Sequence, residues 1–95
     1  MIKDVEVAMV HAANYALDYQ DEKYNADVEE IIKQFLNEPD YLDVKDSLKS
    51  YSIVAINEIM KIKRLNKNKS KKQLMQVFVK NIPEISLRIK EEGSK

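Results

Sequence analysis

The chain of 95 residues is 44% hydrophobic and 34% charged, which excludes a disordered segment and suits one small domain with a single core. The absence of Cys excludes disulfides, a thiol nucleophile and thiolate metal ligands. One Gly and two Pro residues are too few for the turns of an all-β protein. We therefore expect a single helical domain over residues 1–95.

The first predicted helix begins with Asp4 as its N-cap and runs to about Tyr19, followed by a loop over Gln20–Tyr24. Its small and apolar residues recur at spacings of three and four, which is typical of a helix that faces a bundle. These residues are Val5, Met9, Ala12, Ala16 and Tyr19. The alanines would let a neighbouring helix approach closely.

The second predicted helix has Asn25 as its N-cap and ends before Pro39, which cannot continue a helix. Glu29 and Glu30 lie in its first turn, where the helix dipole favours negative charge. Its predicted buried face consists of Val28, Ile31, Ile32, Phe35 and Leu36.

The third predicted helix begins near Asp43, with Asp46 three residues later in a capping-box-like arrangement, and fades near Leu65. Apolar residues cover so much of its circumference that we expect it to lie centrally, with neighbours on two sides. They are Val44, Leu48, Tyr51, Ile53, Val54, Ala55, Ile56, Ile59, Met60 and Ile62.

The fourth predicted helix begins after Ser70, and its apolar spacing continues across Pro83. The helix should therefore kink at Pro83, or break and restart from Asn81. Four helices with short connections predict an all-α, antiparallel four-helix bundle. The residues expected to fill its core are Ile32, Phe35, Leu48, Ala55, Ile59, Leu74 and Phe78.

The sequence offers little for catalysis. His11 is the only histidine, and the chain has no HExxH, phosphate-binding glycine loop or GxSxG motif. The acidic residues around Asp18–Glu22 and Glu38–Asp43 do not follow EF-hand spacing, and helix capping explains them more simply. We expect no enzyme activity, no cofactor and no metal site.

Charge is distributed unevenly along a chain whose net charge is zero. Residues 1–50 carry twelve acidic and five basic side chains, and residues 51–95 carry four and eleven. Residues 61–72, KIKRLNKNKSKK, include seven basic residues and no acidic one. This run is a solvated loop, a surface for an anionic partner, or a partner of the acidic half of the same chain or of a neighbour. The candidate partner-binding residues are Lys63, Arg64, Lys67, Lys69, Lys71 and Lys72.

Nucleic acid is one candidate partner, since lysines attract phosphates without sequence preference. A helix-turn-helix can be drawn over residues 70–89 with Val79–Pro83 as its turn, but that turn has no Gly and the second helix has few side chains to contact bases. The run itself also lacks aromatic residues on which single-stranded bases could stack. Nucleic acid is therefore weakly supported.

The segment DEKYNADVEEII, residues 21–32, resembles the turn and second helix of the immunity proteins against pediocin-like bacteriocins. In that family a D-P-x-Y-like turn follows helix 1; Asp21 and Tyr24 fit it, and Glu22 stands in place of the proline. The resemblance extends to length, four helices and a basic connection opening on Ser70. It implies a cytoplasmic antiparallel four-helix bundle without enzyme activity that protects a bacterium from the toxin by acting on its sugar-transporter receptor.

The sequence thus favours a small helical protein that binds another protein, with bacteriocin immunity as the specific hypothesis. The alternatives are a small DNA-associated regulator that uses residues 61–72 and helix 4, and a homo-oligomeric structural or phage protein, for example a homodimer. No apolar run approaches the roughly 20 residues that cross a bilayer, so we expect no transmembrane segment and a cytoplasmic location.

Overall fold

The computed structural model describes residues 2–23, 25–38 and 46–93. These residues form helices and their connections and contain no strand, so the all-helical prediction is confirmed. The four helices in the described ranges are α1 (Ile2–Glu22), α2 (Val28–Leu36), α3 (Asp46–Leu65) and α4 (Lys71–Gly93).

Helices α1 and α3 make the most extensive contact between any two of these helices. Small side chains allow this approach: Ala12, Ala13 and Ala16 on α1 and Ala55 on α3 are fully buried. Ser52 of α3 is also fully buried, and its hydroxyl donates a hydrogen bond of 3.1 Å to the carbonyl of Leu48. The buried hydroxyl is therefore satisfied within its own helix.

Helices α2 and α4 each contact both α1 and α3, whereas no Cα atoms of their described residues approach each other within 8 Å. Helix α3 thus has three neighbouring helices where two were predicted, and α1 has the same number. The large side chains that fill the space between the four helices include Met9, Ile31, Phe35, Ile56, Ile59, Phe78 and Ile85.

The predicted core is largely correct: Phe35, Ala55, Ile59, Leu74 and Phe78 are buried. Two members of the predicted set are only half-buried. Ile32 lies about 100° around α2 from the fully buried Ile31, so it reaches only the edge of the core. Leu48 lies in the first turn of α3.

The predicted N-caps of the first two helices are wrong. Helix α1 begins at Ile2, so Asp4 lies inside the helix and does not cap it. At its other end the helix extends to Glu22. The cap of α2 is Asp27 rather than Asn25: its extended backbone (φ −90°, ψ 173°) lets its carboxylate accept from the amide of Glu30 at 2.8 Å. A charged cap also benefits from the helix dipole. Asp43, the predicted start of α3, lies outside the described residues.

Helix α4 runs without interruption from Lys71 to Gly93 with Pro83 inside it, so the predicted break and restart at Asn81 is wrong. The helix-turn-helix drawn over residues 70–89 is wrong for the same reason, since its turn is helical. Pro83 removes one backbone donor, while buried Phe78, Ile82 and Ile85 hold both sides of it against the same core. Packing on both sides therefore outweighs the loss of one hydrogen bond.

Candidate interaction surface

The connection between α3 and α4 is an ordered turn built from local hydrogen bonds. At the end of α3 the side-chain amide of Asn66 donates to the carbonyl of Ile62 at 2.9 Å, and its backbone amide donates to Lys63 at 3.2 Å. The amide of Lys69 then donates to the carbonyl of Asn66 at 3.1 Å. The first two bonds satisfy carbonyls in the last turn of α3, and all three hold the turn close to the helix end.

Helix α4 opens with a capping box, which confirms Ser70 as its cap. The Ser70 hydroxyl accepts from the amide of Gln73 at 3.3 Å, and the Gln73 side-chain oxygen accepts from the amide of Ser70 at 2.9 Å. The reciprocal pair fixes where the helix begins. These hydrogen bonds thus fix the backbone that carries the basic residues on both sides of the turn.

This turn places the six predicted partner-binding residues at one end of the α3–α4 pair. Lys63 is half-buried, and the other five are exposed. Lys71 donates to the Asp18 carboxylate of α1, whereas the remaining five form no ion pair with any described residue. We call the set Lys63, Arg64, Lys67, Lys69, Lys71 and Lys72 the basic surface.

Helix dipoles account for only two of these six charges. Lys63 and Arg64 lie in the last turn of α3, where positive charge is favourable. Lys71 and Lys72 lie in the first turn of α4, which has no acidic residue, and there positive charge is unfavourable by roughly 0.3–1 kcal/mol each. Only Lys71 has an acidic partner in the described residues, so local stability does not explain Lys72.

An exposed apolar side chain lies within this charged region. Leu65, the last residue of α3, is 71% exposed, the largest value among the large hydrophobic residues of the described ranges. Its neighbour Ile62, one turn earlier, is buried, so the apolar stripe of α3 continues past the point where the core ends. Sequence spacing places Leu65 beside the basic run but does not predict its exposure.

Two tyrosines of α1 form hydrogen bonds to glutamates within and just beyond α2. Tyr15 donates to Glu38 at 3.1 Å, and Tyr19 donates to Glu30 at 2.8 Å. Burial, together with the hydrogen bond and the charge of Glu38, raises the pKa of Tyr15 to about 12. The hydrogen bond to Glu30 and partial burial raise the pKa of Tyr19.

His11 is exposed on α1, at a groove of about 490 Å³ between α1 and α4. Its ring lies 5.7 Å from that of Phe35, centroid to centroid, and it makes no hydrogen bond to a described residue. Val10, Val79 and Pro83 also line the groove. The described residues that line the groove include no hydroxyl, thiol or amine side chain. No three His, Asp or Glu side chains of the described ranges converge as metal ligands.

Comparisons of the chain with protein-family models, with curated proteins and with solved structures found no match. Among the described residues, no helix combines the length and the apolar character needed to cross a bilayer. The basic surface on the α3–α4 turn is therefore the feature on which a function can be argued.

Proposed function

We propose that the chain is a non-enzymatic interaction protein that contacts an anionic partner through the basic surface, and specifically that it is a bacteriocin immunity protein acting from the cytoplasm. The observation that carries the proposal is the concentration of positive charge around an ordered turn, where five of the six residues have no acidic partner among the described residues. Lys72 is placed where it costs helix stability, which favours a role in binding.

The proposal includes an antiparallel four-helix bundle with α4 bent near Pro83. Contacts between residues early in one helix and late in its neighbour support this topology. Tyr19 of α1 bonds Glu30 near the start of α2, while Tyr15 bonds Glu38 just beyond the end of α2. Likewise, the Ser86 hydroxyl late in α4 contacts the sulfur of Met9 early in α1 at 3.6 Å. Pro83 lacks the amide that would bond one turn back, which favours a bend there.

The resemblance to the immunity proteins adds the specific identity. The segment on which the resemblance rests contains the acidic end of α1, a short polar connection and the start of α2, which Asp27 caps. The basic connection that opens on the Ser70 cap is the second shared feature. In that family the protein acts on a membrane transporter, so a charged surface that contacts another macromolecule suits the proposed role.

The direct test is protection. The chain is expressed in a bacterium that is sensitive to pediocin-like bacteriocins, and survival is measured against a panel of these toxins and one unrelated pore-forming peptide. We expect protection against at least one member of the panel and none against the unrelated peptide. Equal killing of expressing and empty-vector cells by every member would contradict the immunity proposal.

Neither alternative has an observation in its favour. The DNA-associated regulator loses its helix-turn-helix because residues 71–93 form one helix. In a homo-oligomer the acidic and basic halves would pair between subunits, but Lys71 pairs with Asp18 within one chain. Size-exclusion chromatography with light scattering measures the mass of the protein in solution. A dimer that dissociates as salt is added would favour the homo-oligomer, and a monomer at every salt concentration would exclude it.

A further inference from the structure

We infer that the basic surface, together with Leu65, docks on the surface of an anionic lipid bilayer. This inference rests on the proposed function, because it names what the basic surface contacts. Four observations support it: the amount of exposed positive charge, the predominance of lysine over arginine, the exposed leucine among the basic residues, and the ion pair between Lys71 and Asp18.

The positive charge is large over a short stretch that contains no acidic residue. Residues 61–72 contain seven basic side chains and no acidic one, and the turn between the helices holds them at one end of α3 and α4. An anionic leaflet attracts such a cluster additively, because each lysine near the surface gains attraction from many headgroups at once. A cluster of this size is enough for measurable attachment at moderate ionic strength.

The chemical type favours a diffuse negative surface. Six of the seven basic residues are lysines, and only Arg64 can form a planar bidentate contact. Lysine acts as a compact point charge on a flexible stem, so it adapts to headgroups that move laterally. Precise recognition of one carboxylate or phosphate geometry would favour arginine.

Leu65 distinguishes a bilayer from the other anionic partners. It is 71% exposed, and the nearest basic residues before and after it in the chain, Arg64 and Lys67, are also exposed. An apolar side chain among basic ones can insert below the headgroups, where it adds burial to the electrostatic attraction. A nucleic acid backbone offers no such apolar layer, and the run has no aromatic residue for base stacking.

Asp18 is the described acidic residue that contacts the basic surface, and an ion pair with Lys71 offsets its negative charge. Its carboxylate is 64% exposed and would repel an anionic leaflet, but it pairs with Lys71. The pair therefore uses one lysine of the basic surface to remove a local repulsion. Lys67, Lys69 and Lys72, which are exposed and form no ion pair with described residues, are left to face the lipid.

The experiment measures binding of the full chain to vesicles by cosedimentation. One vesicle type is pure phosphatidylcholine, and the other contains added phosphatidylglycerol. Two pairs of variants separate placement from net charge and from general hydrophobicity. In the surface triple variant Lys67, Lys69 and Lys72 become Gln; in the control triple variant the exposed Lys23, Lys33 and Lys80 become Gln. Leu65→Ser is compared with Leu87→Ser, which removes a leucine of α4 that is 56% exposed.

We expect binding to the phosphatidylglycerol vesicles only, and its loss as salt is added. The surface triple variant should lower the partition coefficient at least about tenfold. The control triple variant has the same net charge and should lower it far less. Leu65→Ser should lower it about threefold or more, with no change in Leu87→Ser. Circular dichroism of each variant reports whether its helices are intact.

Several outcomes would overturn the inference: equal binding to both vesicle types, equal losses in the two triple variants, or equal losses in the two leucine variants. Binding to a duplex DNA probe without binding to vesicles would also overturn it and favour a nucleic acid partner. None of these outcomes depends on a toxin. Protection from the toxin without vesicle binding would therefore reject the lipid inference and leave the proposed function standing. Vesicle binding without protection would reject the immunity function and leave the lipid inference standing.

Discussion

The ammonium group of Lys71 in α4 donates to the carboxylate of Asp18 in α1, which joins the basic run to the acidic half of the chain. The two side chains are 41% and 64% exposed, so water and salt screen the pair. Among the described residues, internal pairing, one of the three interpretations of the run, applies to one of the six residues of the basic surface. The other five form no ion pair with a described residue.

Because this pair is exposed, it should contribute little to stability. A double-mutant cycle with Lys71→Gln and Asp18→Asn is expected to give a coupling of roughly 0.2–1 kcal/mol that decreases with added salt. Chemical denaturation of the four proteins measures it, with Lys72→Gln as the unpaired control. A coupling well above that range that persists at high salt would mean that the basic run is fixed to the acidic half as part of the fold.

Phe35 should be among the most sensitive core positions. It is fully buried, and its ring meets that of Tyr15 edge-on at 5.1 Å between centroids. Phe35→Ala is expected to lower the free energy of unfolding by about 3–5 kcal/mol. Val79→Ala is the control, because Val79 is 49% exposed and should lose about 0.5 kcal/mol or less. A loss below about 1 kcal/mol for Phe35→Ala would show that α2 packs elsewhere.

Pro83→Ala should be tolerated or slightly stabilising. Pro83 is exposed within a continuous helix, so alanine restores a backbone donor without removing a buried side chain. Thermal unfolding measures the change. Gln76→Pro, at another exposed position of α4, is the matched control and should cost about 3 kcal/mol. Clear destabilisation by Pro83→Ala would indicate a local geometry that depends on proline.

Tyr15 should make stability depend on pH in the alkaline range. Its pKa is raised from 10.0 to about 12 in the folded protein, so its contribution is complete below pH 10 and is lost as the pH rises towards 12. Tyr15→Phe should flatten this dependence and remove a step near pH 12 from an ultraviolet titration of the tyrosines. Tyr51→Phe is the control, since Tyr51 makes no hydrogen bond to a described residue. An unchanged titration in Tyr15→Phe would contradict the assignment.

Apolar periodicity predicts the helices well because burial of one face is what stabilises them. It predicts helix ends less well, because that periodicity does not specify which residue caps a helix. Asn25 and Asp27 can both cap a helix, and only the backbone conformation at Asp27 selects between them. The continuity of α4 depends on how firmly Ile82 and Ile85 are packed around Pro83, which is a tertiary property. Helix periodicity correctly anticipated this stripe, but it could not decide between a kink and a break.

The candidate surface was predictable in composition but not in detail. A run without acidic residues indicates an exposed positive region, and the helices on both sides bring its ends together. The pairing of Lys71 with Asp18 joins residues 53 positions apart, which no local pattern encodes. The exposure of Leu65 likewise depends on where the neighbouring helices end.

If the basic surface carries the function, cells that express the surface triple variant should be sensitive in a toxin challenge. Cells with the wild-type chain and with the control triple variant are challenged in parallel, at matched protein levels. We expect the wild type and the control to protect and the surface triple variant to lose protection while its melting temperature stays nearly unchanged, because its lysines are exposed. Full protection by the surface triple variant would contradict the claim.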